Sequence, residues 1–146
     1  MMGARYEHTQ VGRLILSLVL PMAALLLVLP AILGWHPALL TGVGALVAIA
    51  VLFGSLTVKV EEGLVTARFG PGPVRFRFRR DQIVSARAVR NPWWYGWGIR
   101  ITPHGRLLNV SGLDAVEIVL RGGRRWRIGS DEPRRLLAAL EAPETR

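Results

Sequence analysis

The sequence predicts an α+β membrane protein: a two-helix transmembrane hairpin, then an antiparallel β-sandwich or partly open barrel closed by a C-terminal helix. Three observations predict it. Two uncharged apolar runs lie close together near the N-terminus, short alternating runs fill most of the remainder, and the C-terminal stretch carries one amphipathic stripe. Of the 146 residues 51% are hydrophobic, yet 17 of the 19 Lys and Arg follow residue 58. The chain has no cysteine, which excludes disulfides, thiolate metal sites and a cysteine nucleophile.

Residues 14–34 hold one hydroxyl side chain, Ser17, and no charge. At ~1.5 Å per residue they make ~31 Å of helix, enough for a hydrocarbon core of ~30 Å. Pro21 and Pro30 are tolerated in such a segment and predict a kink at one of them. Residues 38–56 form a second uncharged run after four connecting residues, Gly34 to Pro37, so the two are expected to form an antiparallel hairpin. A signal peptide is the competing reading, but the first run is longer than a usual h-region and a second follows directly. Arg5 and Arg13 precede the hairpin and Lys59 and Arg68 follow it, while the connecting loop carries no Lys or Arg. The positive-inside bias therefore predicts a multi-pass protein of the inner or plasma membrane with both termini cytoplasmic. Residues 1–13 are read as a cytoplasmic N-terminal arm. In the second run Gly44 with Ala48, and Ala50 with Gly54, are small residues four apart that suit close helix contact, within the hairpin or in a homo-oligomer.

Residues 57–146 are expected to fold alone as a β-rich domain that needs no metal. Thr57 to Val60 and Leu64 to Phe69 read as a hairpin turning through Glu61-Glu62-Gly63. After the turn cluster Gly70-Pro71-Gly72-Pro73, Val74 to Arg79 alternates strictly, Val74, Phe76 and Phe78 against Arg75, Arg77 and Arg79. Further short runs follow at Ile83 to Val89, Ile99 to Thr102, Leu107 to Val110, Ala115 to Arg121 and Arg124 to Ile128. A helix over residues 131–142 is predicted from Ser130 as N-cap, acids in the first turn, and the stripe Leu136, Leu137 and Leu140.

Two features stand out from this frame. Trp93, Trp94, Tyr95 and Trp97 place four aromatics in five residues. They suit either the core of a small sandwich or an interfacial or partner-binding loop at headgroup level. Residues 57–146 also carry 17 cations, 16 of them arginine, against 9 acids, a balance of +8. Alternation puts Arg75, Arg77 and Arg79 on one strand face and Arg125 and Arg127 on another, two basic faces suited to anionic lipid or to solvent alone.

Tyr95 to Arg100, and the run from Asn109 through Gly112 and Ala115 to Glu117, ending at Ile128 to Pro133, carry a resemblance. In these stretches and in its order of parts the chain resembles bacterial membrane proteins that bear a pleckstrin-homology-like domain after a transmembrane hairpin. The resemblance implies a seven-stranded sandwich capped by a C-terminal helix, a fold used for binding lipids or proteins rather than for catalysis. The acidic first turn departs from the basic one of phosphoinositide-binding members and argues against an inositol-phosphate pocket.

Chemical motifs are weak beside this. His8, His36 and His104 lie on unrelated segments, which argues against zinc. His104, Ser111 and Asp114 lack a nucleophile-elbow context, and Gly42-Val43-Gly44 lies in an apolar run without a preceding strand. The expectation is a non-enzymatic module without cofactor that contacts anionic lipid headgroups or a membrane protein partner. The alternative is an accessory or assembly subunit of a larger membrane complex. No nucleic-acid motif accompanies the charge, so nucleic acid is not an expected partner.

Overall fold

The computed structural model describes residues 5–143. In chain order it contains β1 (Tyr6–Val11), α1 (Arg13–Val28), α2 (Pro30–Leu33), α3 (Pro37–Phe53), β2 (Ser55–Glu61), β3 (Leu64–Phe69) and β4 (Val74–Arg79). These are followed by β5 (Ile83–Arg90), β6 (Gly98–Thr102), β7 (Gly105–Asn109), β8 (Asp114–Leu120), β9 (Arg125–Gly129) and α4 (Pro133–Glu141). The chain is α+β, with apolar helices near the N-terminus, two β-sheets and a terminal helix.

The N-terminal arm departs from expectation. Residues Tyr6–Val11 are a strand, paired antiparallel with β2 from Tyr6 opposite Val60 to Val11 opposite Ser55. The helices are thus an insertion between two neighbouring strands, closed at the neck by the Gly12 N–H donating to the Gly54 carbonyl at 2.7 Å. The second apolar run is also divided. Its helix ends at Phe53, and Ser55 and Leu56 begin β2, where pairing with β1 satisfies their backbone.

Among the described residues, the segment Arg13–Leu33 is the one long and apolar enough to cross a membrane. Helix α3 is apolar but shorter, at 17 residues. Pro21 stays inside α1, and the break falls at Pro30, which opens α2 where its missing N–H leaves no helical bond unmade. Helices α1 and α3 pack side by side. A Cβ on Gly42 would come 3.1 Å from the Leu26 side chain, so this glycine sets their approach, whereas Gly44 faces open space.

The first sheet has the order β1-β2-β3-β4, all antiparallel, and the second β5-β8-β9-β7-β6. Among the described residues there are nine strands, β1 and eight after the helices, where seven or eight were expected. The second sheet is mixed rather than antiparallel, because β9 lies parallel to β7. Strand β8 runs opposite to β7, and the β8–β9 hairpin folds back so that β9 fills the place beside β7, where only a parallel register fits. Alternation sends Leu56, Val58, Val60, Val65, Ala67 and Phe69 inward to meet Val116, Ile118, Trp126 and Ile128. Phe76 and Phe78 pack on the Trp126 ring at 5.3 and 5.1 Å between centroids.

Helix α4 starts at Pro133, two residues later than expected. The Ser130 hydroxyl accepts from the Glu132 N–H at 3.1 Å and so orders the turn before the helix. Leu136 is fully buried, with Leu137 and Leu140 packed around it. The Arg80 guanidinium donates to the Leu140 and Ala142 carbonyls at 2.9 and 2.6 Å, satisfying acceptors at the helix C-terminus. Arg5 donates to the Pro143 carbonyl, tying the start of the described chain to its end.

Candidate membrane-proximal surface

The neck gives the β domain a near end and a far end. Gly70, at φ +49°, donates its N–H to the Ser55 carbonyl at 3.0 Å, and any Cβ there would strike the Val51 carbonyl of α3. The Gly70-Pro71-Gly72-Pro73 turn is thereby seated on the end of the helix. On the second sheet, Trp97, Gly98, Ile99 and Arg100 border an apolar groove of about 410 Å³ with Ile15, Ile49 and Phe53. The near end therefore comprises the starts of β4 and β6 and the β7–β8 connection. The β6–β7 turn and the start of β9 lie at the far end.

The five arginines proposed from strand alternation separate along this axis. Arg75, Arg77 and Arg79 are exposed on the outer face of β4, as expected. Arg75 lies next to the near end and directly opposite Arg68, a cross-strand pair of like charges that is unfavourable without an anion nearby. Arg79 lies four residues further away and is neutralised by Asp81 at 2.7 Å. Arg125 is exposed at the far end of β9.

Arg127 is not on a basic surface, because only 6% of it is exposed. Its Nε donates to Glu117 Oε2 at 2.9 Å and its Nη1 to Asn91 Oδ1 at 2.9 Å. Glu117, 1% exposed, also takes Arg87 on its other oxygen at 2.7 Å. The register explains the row, since Arg87, Glu117 and Arg127 are consecutive cross-strand partners on β5, β8 and β9. Burial pushes the Glu117 carboxyl up, but the bonds from Arg127 and Arg87 outweigh it and hold it below its ordinary value. The sequence signal was an acid inside the apolar run of β8, which requires a counter-charge when buried.

The aromatic loop is not core. Trp93 and Trp94 are 69% and 68% exposed, and neither Tyr95 nor Trp97 is buried. The loop joins β5 and β6, the two opposite edges of the sheet, and so has to span the sheet's width. It is pinned by the Asn91–Arg127 bond, by Tyr95 Oη to His104 Nδ1 at 2.7 Å, and by Trp97 Nε1 donating to the Gly112 carbonyl at 3.2 Å. Trp97 sits level with the first turn of α1 and the last of α3, the depth at which Ile15 and Phe53 border the same groove.

A second, polar cleft of about 440 Å³ opens at the near end and is bordered by Thr9, Gln10, Arg13, Ser111, Asp114 and Asp131. Gln10 Nε2 donates to the Ser111 carbonyl at 2.9 Å, and His8 Nε2 meets Asp131 Oδ1 at 2.7 Å. His104 and Ser111 lie beyond opposite ends of β7, whose first and last residues are about 13 Å apart at ~3.3 Å per residue, so the two do not meet. No group of three or more His, Asp or Glu among the described residues is placed to hold a metal ion.

No protein-family model matches the chain, and no curated protein matches it.

Proposed function

We propose that this protein is a membrane-anchored, non-enzymatic binding module of the bacterial pleckstrin-homology-like kind, in which α1 with α2 and α3 cross the inner or plasma membrane as a hairpin and both termini are cytoplasmic. Its β domain reads anionic lipid at the surface of its own leaflet. One observation carries the reading: the neck at Gly12 and Gly54 is ringed by groups suited to a bilayer surface, Arg13, the opposed Arg68 and Arg75, and Trp97. Tryptophan suits the headgroup region, and each basic residue held there is worth roughly 1 kcal/mol against anionic lipid. Helix α3 spans ~26 Å at ~1.5 Å per residue. The aromatic Trp35, 77% exposed beside its start, supplies an anchor for the opposite interface.

The test is topological. A C-terminal reporter active only in the cytoplasm is expected to be active, and a cysteine placed at Trp35 is expected to be labelled only from outside. A reporter active only outside would overturn the reading. Exposed Gly44 and Ala48 on α3 favour the second reading, an accessory subunit whose hairpin packs in a larger complex. A stoichiometric protein partner in mass measurement of the detergent-solubilised protein would put that reading first.

A further inference from the structure

The groove between the helices and the start of β6 is apolar at its helix end and charged at its domain end. Ile49 lies one helical turn further from the β domain than Phe53, about 6 Å at ~1.5 Å per residue. Ile15 and Phe53 pack against the domain core, and the Phe53 and Phe69 rings meet edge to face at 5.6 Å between centroids, so this wall is held by the fold. Ile49 and Ile99 nevertheless remain 43% and 41% exposed. The charged residue of the lining is Arg100, and no carboxylate borders the groove to match it. Arg100 Nε donates to the Trp97 carbonyl at 3.0 Å, which folds the side chain back along the strand and holds the guanidinium at the rim.

We infer that this groove holds one phospholipid of the surrounding leaflet, with an acyl chain on Ile15, Ile49, Phe53 and Ile99 and the phosphodiester on the Arg100 guanidinium. An apolar helix of a partner would cover the same wall but leave Arg100 desolvated and unmatched. A soluble anion would match Arg100 but leave the isoleucines in water. A phospholipid carries both parts in the order in which the groove presents them, and a guanidinium suits paired hydrogen bonds to phosphate oxygens. The groove is also continuous with Arg13–Leu33, the segment apolar enough to cross a membrane, since Ile15 belongs to both. The inference rests on the membrane-anchored reading above but not on anionic lipid. The phosphodiester is common to charged and zwitterionic headgroups, so Arg100 is not expected to select between them.

The experiment uses the full chain in mild detergent, offered dioleoyl phosphatidylglycerol, dioleoyl phosphatidylcholine or dioleoylglycerol, with native mass spectrometry counting the lipid retained. One molecule of either phospholipid is expected on the wild type, and dioleoylglycerol, which lacks the phosphate, is expected to bind about tenfold more weakly. Arg100→Gln is expected to lower phospholipid retention about tenfold, and Arg100→Lys to restore part of it. Ile49→Trp, which fills the apolar end, is expected to lower retention as well, and Arg124→Gln, exposed at the far end, to leave it unchanged. A phosphatidylcholine with a photoactivatable acyl chain is expected to label residues 49–53 and 97–100. Equal retention of dioleoylglycerol, or retention indifferent to both Arg100→Gln and Ile49→Trp, would leave only boundary lipid and overturn the site. Displacement by inorganic phosphate would make a soluble anion the ligand and overturn it too. Carbonate extraction separates the site from the anchoring: a chain released from membranes would overturn both, whereas a chain kept in the membrane that retains no lipid in detergent would overturn the site alone.

Discussion

Glu117 and Arg127 show why an alternating strand does not decide by itself which side chains meet water. Both belong to the outer face of the second sheet, yet both are buried, and each is tolerable only because the other is present. Removing one partner of a buried ion pair typically costs about 3–5 kcal/mol, since the other is left uncompensated. Glu117→Gln is expected to lower stability by about 3 kcal/mol at neutral pH, more than Arg87→Gln, whose side chain is largely exposed. The pH dependence has a definite sign. The folded-state carboxyl is held below its ordinary 4.5, so its contribution is complete above that value and is lost as pH falls through it towards the folded-state value. Thermal unfolding of wild type and Glu117→Gln should therefore diverge at pH 7 and converge in acid; a gap that stays constant would mean that Glu117 is not an ionised partner. The acid in β8 was legible in the sequence, but its partner was not, because Arg127 becomes its neighbour only once the β8–β9 register is set.

At the level of elements, hydropathy revealed the strands whose inner face is apolar and missed the one whose inner face is not. Strand β4 sends Val74, Phe76 and Phe78 inward and was legible at once. Strand β1 sends Tyr6, His8 and Gln10 inward, two of them polar, and no alternation marks it. Its place is nonetheless structural. Tyr6 is part of the core, and burial, with Glu132 beside it, raises its hydroxyl pKa well above the ordinary value. Residues 57–146 alone would lose β1 and the first two residues of β2, uncovering one edge of the first sheet. Deleting residues 13–53 instead joins Gly12 to Gly54 as a two-residue Gly-Gly turn between Val11 and Ser55, which already face each other. This helix-less chain is expected to be soluble, β-rich and cooperative in unfolding, with a midpoint clearly above that of residues 57–146. Circular dichroism melts of the two would check this, and equal midpoints would show that β1 adds nothing. The aromatic loop was equally undecidable from composition, since the same rings suit a core or a surface. The exposure of Trp93 and Trp94 decides it, in a loop that spans the sheet from β5 at one edge to β6 at the other.

For the molecule as a whole, if the helices cross a membrane as proposed, their insertion between β1 and β2 turns position along a strand into height above the bilayer. Arg75 stands opposite Arg68 one residue beyond the Val74–Phe69 pair, close to the turn seated on α3. Arg79 is four residues further along, about 13 Å at ~3.3 Å per residue. The leaflet's potential decays over a Debye length of about 8 Å at physiological salt, so the same side chain is within reach at one position and beyond it at the other. Ion pairing sharpens the contrast, because Arg79 is already matched by Asp81 whereas Arg68 and Arg75 oppose each other. With the helix-less domain on liposomes containing anionic lipid, Arg75→Gln is expected to weaken binding about fivefold, the equivalent of roughly 1 kcal/mol per basic residue at the surface. Arg68→Gln with Arg75→Gln should weaken it about twentyfold, and Arg79→Gln less than about twofold. Added salt should erase the differences together with the binding. Equal losses at Arg75 and Arg79 would mean that the outer face of the first sheet lies flat on the membrane, and binding indifferent to anionic lipid would leave the near-end arginines for a protein partner.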